Sequence, residues 1–279
     1  MQQSTAFARA LQATGRPFSR LPCGAIVLRR SWGPVAVQML ARADASANRL
    51  AALRDASLSG PAILSPDRPP ARDLPLVPLV SPVCFGVLSL RTSEAGLRAA
   101  LHQKWRNRLR HAERHPLKVT RSNLPPRPDH WLLRAEADRQ VARGYRNWPA
   151  DLTCAYARET PGAAKLFVAH LDGAAVAAVL LLRHGAAATY HIGYTEASGR
   201  AASAQTLLMW QAICWLRRKG VKRLDLGTLD TEKGAGLARF KLGTGATPVR
   251  LGGTWLWWPP LTRLARPLTA LDRRLMEGA

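Results

Sequence analysis

The chain has 279 residues, 47% of them apolar, which suffices for one large packed domain or two of ordinary size and excludes disorder as the default state. Forty-one lysines and arginines against eighteen acids give a formal charge of +23, which favours anionic partners such as nucleic acid, anionic lipid or phosphorylated substrates. The longest apolar run, 174–182, has nine residues and is too short to span a bilayer as a helix.

The four cysteines, Cys23, Cys84, Cys154 and Cys214, stand far apart with no zinc-type spacing, so no metal site is expected and the thiols read as reduced core residues of a cytoplasmic protein. The first twenty residues carry no basic segment followed by an apolar core, so a secretory signal is not expected.

In chain order, 25–30 and 34–40 flank Ser31-Trp32-Gly33 as a hairpin, and 45–57 is read as a helix. Strands are predicted at 60–66 and 83–92, joined by a proline-rich link over 66–82. Thr92 or Ser93 can cap a long helix running to about His115, with Leu97, Leu101, Trp105, Leu109 and Ala112 in one stripe. Its other faces carry Arg98, Lys104, Arg106, Arg108, Arg110 and Arg114. That is either a solvated basic face or a surface for phosphate, since arginine forks pair with phosphate oxygens bidentately. A second proline cluster at 123–130 precedes a helical stretch at 131–145.

From 166 onward the pattern is more regular. Strands 166–171, 174–183 and 186–194 are separated by Asp172-Gly173 and His184-Gly185, which predicts an antiparallel meander. Helical periodicity over 202–220, with Arg217, Arg218 and Lys219 at the end that the helix dipole favours, predicts a helix stopping at Gly220. A strand at 221–227, a short helix at 236–243 and a strand at 249–258 complete the order β-β-β-α-β-α-β.

The stretch 224–246, "LDLGTLDTEKGAGLARFKLGTGA", carries five glycines and invites a phosphate-loop reading. It fails on spacing: Lys241 follows Phe240 rather than glycine, and Leu242 stands where a hydroxyl is needed. Asp225, inside a short apolar strand, is either a general base or a structural acceptor for nearby backbone N–H groups. The segment before the 202–220 helix is either an anion-binding helix start or an ordinary connection.

Together, "YHIGYTEAS", "LLMWQAICWLRRKGVKRLDLGT", "ARFKLGTGATPVRLGGTW" and, upstream, "KWRNRLRHAER" resemble the FemAB-like branch of the GNAT acyltransferase superfamily, including its BioF2-like members, over about residues 95–258. The resemblance implies an α/β (α+β) fold of two tandem GNAT-like mixed-sheet units. The expected division is an N-terminal unit over 1–120 ending in the basic helix, an acyltransferase unit over 121–258, and a basic tail over 259–279. It further implies a splayed pair of central strands that receives the acyl donor, whose phosphates meet Ser198, Gly199, Arg200 and Ala201. Phe240 and Lys241 match the family's Phe-Lys pair. Lys104, Arg106 and Arg110, with Phe240 and Lys241, become candidates for substrate binding, and Asp225, Tyr190, Tyr194 and Lys241 candidates for catalysis.

The implied function is an N-acyltransferase that takes acetyl-CoA or another acyl-CoA and acts on an amine-bearing, anionic, small-molecule or lipid-linked precursor of the cell envelope or a polysaccharide. The family's CoA pattern, Gln/Arg-x-x-Gly-x-Gly/Ala, is degenerate in "EASGRAASA". An aminoacyl-tRNA-dependent peptidoglycan peptide ligase is therefore the rival enzyme, and tRNA phosphates would suit the charge. A non-catalytic basic module binding nucleic acid or anionic membrane is the rival outside the enzyme class. The tail "WLWWPPLTRLARPLTALDRRL" favours peripheral contact with the inner face of the plasma membrane, against a strand end plus a packed helix.

Overall fold

A computed structural model describes residues 1–33, 35–56, 58, 60–71, 73–261, 267–268 and 270–271. The N-terminal elements are α1 (Thr5–Ala13), β1 (Phe18–Arg20), β2 (Ile26–Trp32), β3 (Val35–Ala41), α2 (Ala47–Asp55), β4 (Ala62–Ser65) and β5 (Val77–Val80). Next come β6 (Cys84–Ser89), α3 (Glu94–Ala100), α4 (Gln103–Glu113), β7 (Lys118–Asn123), α5 (Trp131–Arg143) and α6 (Ala150–Glu159). The regular C-terminal half supplies β8 (Ala164–Leu171), β9 (Ala174–His184), β10 (Ala187–Thr195), α7 (Ala197–Ala201), α8 (Ala204–Arg218), β11 (Arg223–Thr228), α9 (Ala235–Gly243), β12 (Thr247–Arg250) and β13 (Thr254–Trp257).

Two sheets result, ordered β1-β2-β3-β4-β13-β5 and β12-β6-β11-β10-β9-β8-β7. Each contains an antiparallel meander whose last strand leads through helix into a parallel neighbour, β3 to β4 in one and β10 to β11 in the other. Each parallel neighbour is then flanked by an antiparallel strand from a distant part of the chain, β13 beside β4 and β6 beside β11. The repeated pattern is that of two tandem mixed-sheet units, as expected.

The boundary differs from the expected 120/121. Contacts divide the chain into 85–249, with Met1, and 2–84 with 250–279. The basic helix therefore belongs with the C-terminal sheet, and its apolar stripe explains why: Leu97, Leu101, Trp105, Leu109 and Ala112 are all part of that unit's core. The strand expected at 249–258 is two strands in different sheets, β12 and β13, parted at Gly252-Gly253, where Gly253 has φ +80°. The basic tail expected over 259–279 lies largely outside the described residues.

The long helix expected to run to His115 is broken. Ser93 caps α3 by accepting from Gly96 N–H at 3.0 Å, and Leu101 is extended with ψ 138°. His102 then caps α4, its Nδ1 accepting from Lys104 N–H at 3.2 Å. In the meander, Asp172 and Gly173 both have positive φ, 50° and 82°, as a two-residue hairpin loop requires. Helix α8 is the centre of the second unit, with eleven of its fifteen residues buried. A helix apolar on most sides must be covered on most sides.

Candidate active site where β10 and β11 part

Parallel β10 and β11 are paired only at Ala187↔Arg223, Ala188↔Leu224 and Thr189↔Asp225. Beyond that point β10 continues to Thr195 and β11 to Thr228 as separate strands, leaving a cleft between them. In the other sheet β4 is paired with β3 along its whole length, Ala62 to Ser65. The opening is therefore a property of the second unit's central pair.

On the β10 side a register shift with β9 lies between Tyr190 and Ile192. Tyr190 pairs with Leu181 and Tyr194 with Ala178, so four steps on β10 match three on β9. Side chains alternate with period two, so this bulge sends the two tyrosines to opposite faces. Tyr190 packs against the α8 core and its hydroxyl accepts from Gln205 Nε2 at 3.0 Å. Burial pushes that hydroxyl up to about 12, so it stays protonated near neutrality and can donate. Tyr194 meets the edge of Trp131 on α5 and donates to Glu196 at 2.8 Å. The two tyrosines expected to act together are thus held apart.

The carbonyls of His191 and Gly193 lie beyond the last β11 pair and are met by side chains. Asn147 Nδ2 donates to His191 O at 3.2 Å, and Arg139 Nη1 donates to Gly193 O at 2.6 Å. Glu136, only 5% exposed, joins the two donors, accepting from Arg139 at 2.6 Å and from Asn147 at 2.9 Å. Burial works against the Arg139 charge, but Glu136 and Tyr145 together outweigh it and raise the guanidinium above its ordinary value. Nothing in the sequence reading singled out this trio. A glutamate followed three residues later by arginine inside a helix is an ordinary surface pattern.

His191 itself turns toward α6, with Nε2 3.1 Å from Thr153 Oγ1, and burial pushes its ring down to about 4. In the unfolded chain a histidine titrates near 6.5. Between those values the unfolded state binds the extra proton, so stability is present above about pH 6.5 and is lost as pH falls toward 4. Wild type is expected to lose at most about 3 kcal/mol more than His191→Gln across that window, measured as urea midpoints.

The β11 side carries the acid and the lysine. Asp225 is 7% exposed, and its Oδ1 accepts from Gly227 N–H at 3.0 Å, the structural-acceptor role that its place in an apolar strand allowed. Lys241, on α9, is 5% exposed and donates from Nζ to Thr228 O at 2.7 Å, at the open end of β11. Burial drives its ammonium down to about 8 against the opposing pull of Asp225. Phe240 points the other way into the core, its ring 6.1 Å from that of Trp105.

The expected donor-phosphate segment is a single turn of helix. In α7, Arg200 Nη1 donates back to Thr195 O at 3.0 Å, while Ser198 and Ala201 are exposed. Gly199 is buried, and an added Cβ would lie 2.2 Å from Val176 O on β9. The need for glycine there is steric, and Gly199→Ala is expected to cost about 1–3 kcal/mol in urea unfolding, with Ser198→Ala near neutral. Helix α8 follows from Ser203, which is left-handed (φ 53°) and makes no side-chain cap; its carbonyl accepts from Thr206 N–H at 3.0 Å, and Ala204, the first residue of the helix, is fully buried.

The basic-helix trio is divided. Arg106 and Arg110 line a groove of about 480 Å³ between α3 and α4 with Gln103 and Asn107, whereas Lys104 is not among its lining residues. Arg106 donates to Ala99 O at 3.1 Å, and Arg98 in the same groove is paired with Glu113. Among the described residues no group of three metal-ligating side chains occurs. No described helix is long and apolar enough to cross a membrane.

No curated protein matches the sequence, but solved structures do. FemX is similar over 95% of this chain and 94% of its own, at 16% identity and a TM-score of 0.74. The C-terminal domain of a putative lysylphosphatidylglycerol synthetase from Agrobacterium fabrum is similar over 95% and 91%, at 14% identity and 0.55. At such identities the likeness is one of fold. Residues 88–247 match the acetyltransferase (GNAT) domain family, a span that contains β10, β11, α8 and α9. With more than half its length matched, the chain belongs to the acetyltransferase (GNAT) domain family, in a two-sheet fold like that of FemX.

Proposed function

We propose that the protein transfers an acyl group from a CoA thioester to an amine on an anionic precursor of the cell envelope or a polysaccharide. The observation that carries this reading is the parting of β10 from β11 with a buried lysine at its open end. An extended acyl chain would lie along the edges that β10 and β11 leave unpaired, with the donor's phosphates toward the α7–α8 segment that follows β10.

In the reaction, a neutral amine attacks the thioester carbonyl, the C–N bond forms, the C–S bond breaks and the thiolate takes up a proton. Tyr190, kept protonated by burial, is the hydroxyl donor of the β10 wall. Lys241 supplies positive charge to the oxyanion or to an acceptor phosphate. Arg106 and Arg110, which line one groove, present further cations to the acceptor. The surplus of basic residues suits an anionic, lipid-linked acceptor at the inner face of a membrane.

Incubation with acetyl-CoA and longer acyl-CoAs plus candidate amines, followed by free-thiol release and product mass, tests the proposal. Neither thiol nor adduct would reject it. Consumption of aminoacyl-tRNA instead, abolished by RNase, would assign the chain to the peptide-ligase chemistry.

A further inference from the structure

A second cluster of cations lies across β7, β8 and β9 of the second unit's sheet. Arg121 on β7, Lys165 on β8 and Arg183 on β9 share one sheet face. Arg121 pairs with Phe167, two residues from Lys165, and Lys165 pairs with Leu181, two residues from Arg183. They form a diagonal across three strands, with neighbours in reach of one another. All three converge on the ring of Trp215 in the last turns of α8, at 5.6, 5.8 and 5.5 Å from its centroid. Lys219 follows at the end of the same helix, exposed.

Attraction to one indole does not account for three cations on it. Each pair is worth about 0.5–2 kcal/mol, while the cations repel one another across a partly dry surface. Among the described residues no carboxylate pairs with Arg121, Lys165, Arg183 or Lys219. Lys165 reaches only the neutral Asn123 Oδ1, at 2.5 Å, and the Nε of Arg183 is buried without a partner. Burial first, and then Arg121, Arg183 and Lys219, hold the Lys165 ammonium below its usual value. A protein retains such an arrangement most readily where an anion completes it.

Of the three cations, Arg121 also borders a groove of about 510 Å³ beside α8, with Phe167, Trp210, Cys214 and Arg218; Lys165 and Arg183 do not line it. Glu94 lines it too, but is engaged with Arg218. Along β9, Arg183 pairs with Ala188, just before Thr189, the last residue of β10 paired to β11, whereas Ala177 pairs with Thr195 at the far end of the parted stretch, about 20 Å away.

We infer that Arg121, Lys165 and Arg183 form a second anion site, for a phosphoryl group held by two arginine forks and one ammonium. The phosphoryl group can come from free phosphate or pyrophosphate, or from a phospholipid headgroup.

The full-length protein is tested with Arg121→Gln, on the exposed edge strand, and Arg183→Gln, at constant ionic strength in chloride. Inorganic phosphate and pyrophosphate are expected to raise the wild-type thermal midpoint by roughly 3 °C and to leave both variants unmoved. If free phosphate has no effect but the protein floats with phosphatidylglycerol vesicles, and not with phosphatidylcholine, and both variants lose this, the headgroup is the source. An equal response in wild type and variants, or no response to either probe, overturns the site. Arg121→Gln alone decides the matter if Arg183→Gln fails to fold.

Discussion

Lys241→Ala is expected to lower kcat/KM for acyl transfer by about 10²–10³-fold, the loss typical of one charge-stabilising donor, while the protein remains folded. The Lys241 side chain has one hydrogen bond in the structure, to Thr228 O, so truncation removes about 1.5–3 kcal/mol of charge-assisted bonding and relieves the cost of a buried ammonium. The two effects nearly cancel, and the urea midpoint should move little. Lys241→Arg should not rescue activity. The residue is 5% exposed, and the planar, bulkier guanidinium does not reproduce the single ammonium that donates to Thr228 O.

The same lysine links activity and stability to pH in opposite directions. Its folded value of about 8 lies below the unfolded value of about 10.4. Between these the unfolded state binds the extra proton, so stability rises with pH over that window, by on the order of 3 kcal/mol, and Lys241→Met abolishes the rise. Transfer that needs the ammonium falls as pH passes 8. A fall in kcat/KM accompanied by a rise in urea midpoint cannot come from unfolding.

The C-terminal meander, α8, β11 and α9 were legible because their signals are local: a period of two broken at Asp172-Gly173 and Gly185, and a period near 3.6 stopping at Gly220. Lys241 was singled out differently, by resemblance, as half of the Phe-Lys pair. What sequence concealed depends on distant partners. The pairing of β13 with β4 and β5 is invisible in "GGTWLWW", because nothing local says which sheet a strand joins. The bulge that parts Tyr190 from Tyr194 is also hidden, since an extra residue leaves apolar alternation nearly intact. The Glu136–Arg139–Asn147 network is the third case, assembled from a helix, a loop and the carbonyls of a strand some fifty residues away.

That network yields the second large effect. Arg139→Met leaves the buried Glu136 without its counter-ion and is expected to cost about 3–5 kcal/mol in urea unfolding, and Glu136→Ala, which strands the quarter-exposed Arg139, somewhat less. Glu136→Leu with Arg139→Met removes both charges and should recover most of that loss, since an apolar pair of similar volume replaces a buried ion pair with little penalty. Activity should not recover with it. In the double variant nothing donates to the Gly193 carbonyl, and Asn147 loses the acceptor that orients it toward His191 O. The β10 wall of the cleft is then unfixed, and the KM for the acyl donor should stay raised by about tenfold while stability returns. If KM and stability recover together, the network holds the fold alone; if KM stays high, the ion pair sets the opening between β10 and β11.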